Sequence, residues 1–337
     1  MIRSRAPLRI SLAGGGTDVS PYAEEYGGAV LSAAINKYAF AVLEPLRGRV
    51  FTIASLDDGK HLEGQVDAEP PFDGTADLAK AVIRRLKVEK GYHLATHSDA
   101  PWGSGLGTSS THIVAILGAF SHWLGLGLSL YEIAETAYQI ERLDLRLEGG
   151  RQDYYSATFG WFNFIEFTRE GVLVHPLRIK DHLVLELEYR LLLCFLGRTR
   201  MSSRIIQDQI RRVRDVEPES LDALHKTKDL ALAMKRLLLK GRLDEMGELL
   251  HEGWILKKRF SPLVTTPEID DIYAEAVKFG ALGGKILGAG GGGHMLFFCS
   301  PGDRYRLASY LSARGLGVVP FSFESRGLVT WEAAGAW

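Results

Sequence analysis

Cysteine is scarce: there are two in 337 residues, Cys194 and Cys299, each inside an apolar run and with no metal-ligand spacing between them. That excludes a disulfide framework or a cysteine-based zinc site and leaves two reduced core thiols. Net charge is almost absent too, with 40 basic residues against 41 acidic ones, so no global field favours nucleic acid or an anionic membrane. Neither an internal repeat nor a low-complexity linker interrupts the chain. The N-terminal MIRSRAPLRISLAGGG carries basic residues but no apolar run of signal-peptide length, and a cytoplasmic protein is expected. Charge is missing altogether between Asp99 and Glu132. A bilayer span is excluded there, because a Gly/Ser/Thr loop fills the first third, His112 and His122 lie inside, and Gly125 and Gly127 stop the helical part after about a dozen residues. Two phosphate-binding signatures are also missing: no G-x-x-x-x-G-K-[ST] occurs, and neither does the set of protein-kinase motifs.

What the chain does have is glycine, 37 residues in all, with clusters at 14–16, 103–107 and 288–293. Its length suits two domains, and a change of texture near residues 168 to 178 suggests 1–170 and 171–337. In the first part, Leu8, Ile10 and Leu12 alternate with Arg9 and Ser11 in a strand pattern, and strand-like runs follow at AVLSAAI, YAFAVLE, RVFTIAS and YHLATHS. Helices fit TADLAKAVIRRLKVE and the run from about Ser110 to Trp123. A capping box, Ser129 with Glu132, opens another. Residues from about 202 to 280 read as long amphipathic helices, and the tail returns to strand, helix, strand. The fold class is α+β.

The loop PWGSGLGTSSTH, residues 101–112, runs directly into an apolar helix. Unpaired N–H groups converge at such a helix start and the helix dipole adds positive potential, so Gly103, Ser104, Gly105, Leu106, Gly107, Thr108, Ser109 and Ser110 form a candidate anion site; a plain N-cap is the other reading. Gly288, Gly290 and Gly293 spell G-x-G-x-x-G, but HMLFFC after them reads as a strand, whereas a dinucleotide fingerprint leads into a helix. These glycines, Gly290 and Gly291 among them, let backbone approach either a ligand or another backbone. Gly16, Thr17 and Asp18 follow the first strand, where they can reach a polyol or close an Asx turn. Asp153, in EGGRQDYYSATFG, is a candidate site carboxylate or a helix cap.

Taken in order, these segments resemble the GHMP kinase superfamily. Its motif Pro-x3-Gly-Leu-Gly-Ser-Ser is filled by Pro101, Gly105, Leu106, Gly107, Thr108 and Ser109, with one Ser-to-Thr change. APLRISLAGGGTD, GGRQDYYSATFG and GAGGGG together look most like the sugar-kinase branch that acts on D-glycero-D-manno-heptose 7-phosphate. The resemblance implies an N-terminal domain like domain 2 of ribosomal protein S5, a ferredoxin-like C-terminal domain with added helices, and an active site between them. It further implies ATP and Mg²⁺ as cofactors, with residues 103–110 around the ATP phosphates and Ser109 and Glu141 at the metal. Glu141 also reads as an exposed helix carboxylate near Arg142. Asp153 and Arg9 would be the catalytic pair, a base or positioning carboxylate beside a cation, and Arg9 alternatively a solvent-facing strand residue.

The implied reaction phosphorylates the anomeric hydroxyl of the heptose 7-phosphate for nucleotide-activated heptose and surface polysaccharide synthesis. Gly16, Thr17, Asp18, Gly290 and Gly291 would contact the sugar. Arg198, Arg200 and Ser202 in GRTRMSSR are candidates for its phosphate, with Arg151 and Lys285 behind them. Partners would be the sugar phosphate and ATP, without nucleic acid or membrane, and a homo-oligomer is left open. Three alternatives stand beside this: a kinase for galactose or fucose on the same scaffold, a dinucleotide-dependent oxidoreductase, and a non-catalytic RNA-binding protein.

Overall fold

The computed structural model describes residues 1–197 and 203–334. Chain order in the first part is β1 (Ile2–Ala13), α1 (Tyr22–Tyr26), β2 (Gly28–Pro45), β3 (Val50–Ser55), β4 (Lys60–Gln65), α2 (Asp77–Leu86), β5 (Tyr92–Ser98), α3 (Thr108–Leu124), α4 (Leu130–Gln139), α5 (Gln152–Phe159), β6 (Phe162–Thr168) and β7 (Gly171–Pro176). It continues through α6 (Asp181–Arg190), β8 (Leu191–Phe195), α7 (Ser203–Arg214), α8 (Pro218–Lys240), α9 (Leu243–Lys258), α10 (Pro267–Lys278), β9 (Ala281–Ile286), β10 (His294–Cys299), α11 (Arg304–Ala313), β11 (Gly317–Val319) and β12 (Val329–Glu332).

One sheet runs β12-β1-β2-β5-β3-β4, with β6 and β7 joined to it through β2. The two expected strands AVLSAAI and YAFAVLE are one, β2, because Asn36 and Lys37 are absorbed in an irregularity opposite Pro7 and Leu8 instead of ending the strand. The second sheet, β11-β8-β10-β9, is antiparallel throughout. β7 pairs with β6, and β12 pairs with β1. The expected division at residue 170 therefore cuts through the first sheet, and the last strand of the chain belongs to that sheet as well.

Both faces of the β1/β2 region are covered. Leu8, Ile10, Phe162 and Phe164 share a core with Leu224 of α8 and Met246 of α9, while Ala6, Val30 and Ala41 pack with Ile113 and Phe120 of α3. This is why β1 is buried almost throughout its second half and why Arg9, a candidate solvent-facing residue by its alternation, is 3% exposed. Helix α3 is apolar on all sides and is accordingly central. The Ser129–Glu132 capping box forms as expected. Cys194 and Cys299 are buried and unbridged, and burial pushes both thiols up to about 12.

Candidate active site

The glycine loop ends at Gly107, which stands at φ 82° as the residue before α3, and no side chain caps that helix. Its first-turn N–H groups are thus left to an anion, and the dipole of a 17-residue helix points the same way. Gly105, also at φ 82°, needs to be glycine for a second reason: a Cβ there would lie 2.5 Å from the Leu287 carbonyl oxygen. The third cluster packs directly on this loop. Cβ atoms on Gly288 and Gly293 would meet Gly105 Cα at 2.8 Å and the Ser104 carbonyl oxygen at 2.5 Å, and His294 donates its backbone N–H to that same carbonyl at 2.9 Å.

Of the two readings for the third cluster, backbone against backbone prevails at Gly290 and Gly291. A Cβ on Gly290 would lie 2.7 Å from the Val264 carbonyl oxygen, to which Gly291 N–H donates at 2.7 Å. These two glycines hold the loop, whereas Gly288 and Ala289 line the cleft. Leu106 likewise contributes backbone only, its side chain being 1% exposed in the core.

Glu141 is a buried residue of a single π-helical turn, Ile140–Asp144, that follows α4. Such turns re-aim side chains, and this one carries the carboxylate to the start of α3. It accepts hydrogen bonds from Ser109 Oγ, from Ser110 Oγ at 2.9 Å and from Tyr154 Oη at 2.5 Å. The exposed-carboxylate alternative is therefore excluded. Burial and the neighbouring Glu141 push the Tyr154 phenol well up, so it stays a donor.

Asp153 is in the first turn of α5 and makes no capping bond. Its Oδ1 accepts from Arg9 Nε at 2.6 Å, with Nη2 at 2.5 Å, while Arg9 Nη1 donates to the Gly105 carbonyl at 2.7 Å. The arginine side chain is 3% exposed and the aspartate's 20%, so the carboxylate is what the cleft presents. A Cβ on Gly107 would come within 3.1 Å of Asp153 Cγ, which puts the carboxylate beside the glycine loop. Burial raises the Asp153 pKa and Arg9 opposes the rise.

Asp18 is 1% exposed and fixed by Gly16 N–H, Gln152 N–H and Gln152 Nε2, all at 3.0 Å. Thr17 is corrected: it is 0% exposed, and its hydroxyl, with one proton to give, lies 2.8 and 3.1 Å from the Gly14 and Ala29 carbonyl oxygens and accepts from Ala29 N–H, so it ties the turn to β2 away from the cleft. Gly16 and Asp18 line the cleft. Arg151 faces elsewhere, paired with Glu24 at 3.0 Å and set over the Tyr138 ring. Arg198, Arg200 and Ser202 lie outside the described residues.

Two lysines complete the cleft, a space of about 600 Å³. Lys257 from α9 and Lys285 from β9 are each 6% exposed. Lys257 had no signal in sequence, standing in ILKKR like any helix-end cation. A second cavity of about 390 Å³, largely apolar and lined by Ile53, Leu78, Thr96, Ile116 and Trp102, adjoins the first through Trp102. The Trp102 ring stacks on His112 at 4.6 Å. No sequence motif marks this cavity, because its walls come from β3, α2, β5 and α3 together.

An uncapped helix start open to an anion, a carboxylate–guanidinium pair beside it and an adjoining largely apolar cavity are the parts that a phosphotransferase uses. The chain belongs to the GHMP kinases: residues 75–161 match the N-terminal domain of that family and residues 234–316 its C-terminal domain. It is 40% identical to the D-glycero-alpha-D-manno-heptose 7-phosphate kinase of Campylobacter jejuni over 98% of each chain. A crystal structure of a D-glycero-D-manno-heptose 1-phosphate kinase from Bacteroides thetaiotaomicron is 37% identical, with a TM-score of 0.84 over 99% of this chain and 100% of that one. A Lactococcus lactis galactokinase complexed with galactose shares the fold at 18% identity, with a TM-score of 0.77 over 97% and 95% of the two chains.

Proposed function

We propose that this kinase transfers the γ-phosphoryl group of ATP to the anomeric hydroxyl of D-glycero-D-manno-heptose 7-phosphate, giving the 1,7-bisphosphate and ADP. The observation that carries the transfer is the Arg9–Asp153 pair, held against Gly105 and Gly107 of the phosphate loop. The choice of sugar is supported by the heptose kinases to which the chain is similar over nearly its whole length.

In this reading the adenine occupies the cavity beside Trp102, and the phosphates run along residues 103–110 to the first turn of α3. Asp153 accepts the proton of the acceptor hydroxyl as its oxygen attacks phosphorus, and the bond to the β–γ bridging oxygen breaks. Burial makes that carboxylate a stronger base than one in water. Arg9 stays beside it and stabilises the charge that develops on the alkoxide. Asp18 is held by three N–H donors in an orientation suited to sugar hydroxyls.

Ser109 and Glu141 fit a magnesium ion, since both offer hard oxygen atoms and stand in contact. Among the described residues no group of three or more His, Cys, Asp or Glu side chains could hold a metal by itself. A cation here would share its remaining positions with phosphate oxygens and water, as magnesium does. When bound it would neutralise charge on the β- and γ-phosphates.

ADP release from ATP and Mg²⁺, measured over a panel of heptose 7-phosphate, heptose, galactose and fucose, tests the reading. Turnover confined to heptose 7-phosphate is expected. Preferential use of galactose or fucose would replace it with the other sugar kinases.

A further inference from the structure

We infer that Lys257 and Lys285 form an anion subsite for the phosphate that the acceptor already carries. This rests on the kinase reading above and names the part of the cleft that selects a phosphorylated sugar. Lys285 is the central observation. It is 6% exposed, lines the cleft, and among the described residues its side chain makes no hydrogen bond or ion pair. Its Nζ lies 4.0 Å from where a Cβ on Gly15 would stand, at the turn that also carries Asp18. Lys257, equally buried, has one partner, the Gly288 carbonyl oxygen at 2.8 Å. Buried ammonium groups are retained at a large desolvation cost unless an anion meets them.

The negative groups nearby are already engaged. Asp18 receives Gly16 and Gln152, and Asp153 receives Arg9. Arg9 is paired with Asp153, whereas among the described residues no carboxylate pairs with Lys257 or Lys285, and Lys285 lines the cleft beside it. A phosphate dianion supplies what is missing, and lysine suits it as a movable point charge. Ser11 Oγ, a donor that lies near the same Gly15 position as Lys285 Nζ, is buried without a hydrogen-bond partner and lines the cleft. The nucleotide's phosphates, by contrast, are served by the uncapped start of α3.

Burial, then the positive charges of Lys257 and Arg9, bring Lys285 down to about 7, with Asp18 opposing. Burial brings Lys257 down to about 8, with Asp18 opposing and Arg9 assisting. Near pH 8 the empty subsite is therefore short of protons that a bound dianion would call in.

The test compares kcat/KM for heptose 7-phosphate and unphosphorylated heptose in the wild type, Lys257→Met and Lys285→Met. Each variant should lower the preference for the phosphorylated sugar by about 10- to 100-fold, the usual worth of a charge-assisted hydrogen bond, with KM for ATP little changed. Titration of heptose 7-phosphate into the wild type at pH 8, in buffers of different ionisation heat, should show net proton uptake; none would overturn the subsite whether or not the variants fold. If the wild type prefers heptose 7-phosphate and both variants keep that preference, the subsite is refuted and the kinase reading stands. Equal losses on both sugars with a raised KM for ATP would assign the lysines to the transferred phosphate and likewise refute it. A wild type that prefers the unphosphorylated sugar would refute the heptose 7-phosphate reading itself.

Discussion

Replacing Asp153 by asparagine removes one charge and keeps the shape of the side chain. Asn Oδ1 still accepts from Arg9, and Arg9 keeps its bond to the Gly105 carbonyl, so the loop should remain in place. Two effects on stability oppose each other. Arg9 loses the negative partner of a buried ion pair, while a carboxylate that burial disfavours as an anion is taken away. By linkage, a carboxyl whose folded pKa is raised contributes stability that is present below its unfolded pKa and lost as pH rises through the folded one. Little favourable ionisation is therefore lost, and the net change should be on the order of 1 kcal/mol, about 2 °C in Tm for a chain of this size.

Turnover is another matter. Asparagine cannot take the proton, and kcat should fall by about 10²- to 10⁴-fold, which corresponds to about 3 to 5 kcal/mol of transition-state stabilisation. The acidic limb of the wild-type pH profile should lie above the ordinary aspartate value of 3.8 and be absent from the variant. Coupled ADP release across pH, with ATP affinity from calorimetry, measures all of this. A variant that turns over within a few-fold of wild type, or that loses ATP binding in proportion to kcat, would refute a role at the acceptor hydroxyl.

Three further outcomes are expected. Ser109→Ala and Glu141→Gln should each weaken productive Mg–ATP use, and in a double-mutant cycle their losses should be less than additive, because one contact joins them; full additivity would separate them. Gly105→Ala, which needs a Cβ 2.5 Å from the Leu287 oxygen at φ 82°, should lower ATP affinity at least about 10-fold and Tm by several degrees, by the strain of a residue forced into that region; an unaffected Km for ATP would show that the loop has slack. For Lys257 and Lys285, folded values of about 8 and about 7 against an ordinary 10.5 mean that the unfolded chain binds more protons between them. Stability in the absence of ligand should accordingly rise with pH from about 7 to 10.5, and Lys285→Met should flatten that rise in chemical denaturation.

Much of the site is legible where its chemistry is written in backbone. A phosphate loop needs glycine at left-handed φ before an apolar helix, and GSGLGTSS states that openly. The ordered segments also bring Asp153 and Glu141 forward as candidates, although only the fold shows Glu141 turned inward by a π-helical turn. What escapes is the work of tertiary covering. Arg9 alternates as if facing solvent, yet β1 lies between two layers. Lys257 reads as an ordinary helix-end charge until β9 and the Gly14–Asp18 turn close over it. Thr17 sits in the right place for a ligand and spends its hydroxyl on the backbone. The cavity beside Trp102 has no signature because four separate elements each supply one wall.

The pairing of β12 with β1 has a consequence for synthesis on the ribosome. The outer edge of Ile2 to Arg5 is matched by Val329 to Glu332, from far along the chain. Until that distant segment has been made, the edge offers unpaired N–H and C=O groups to any neighbouring extended chain. The sheet that carries Arg9 can begin to form early through β2, but it is closed on this side only once Val329 to Glu332 has emerged. Nascent chains on one polysome are thus exposed to one another at this edge, and a product truncated before Val329 would keep the exposure permanently.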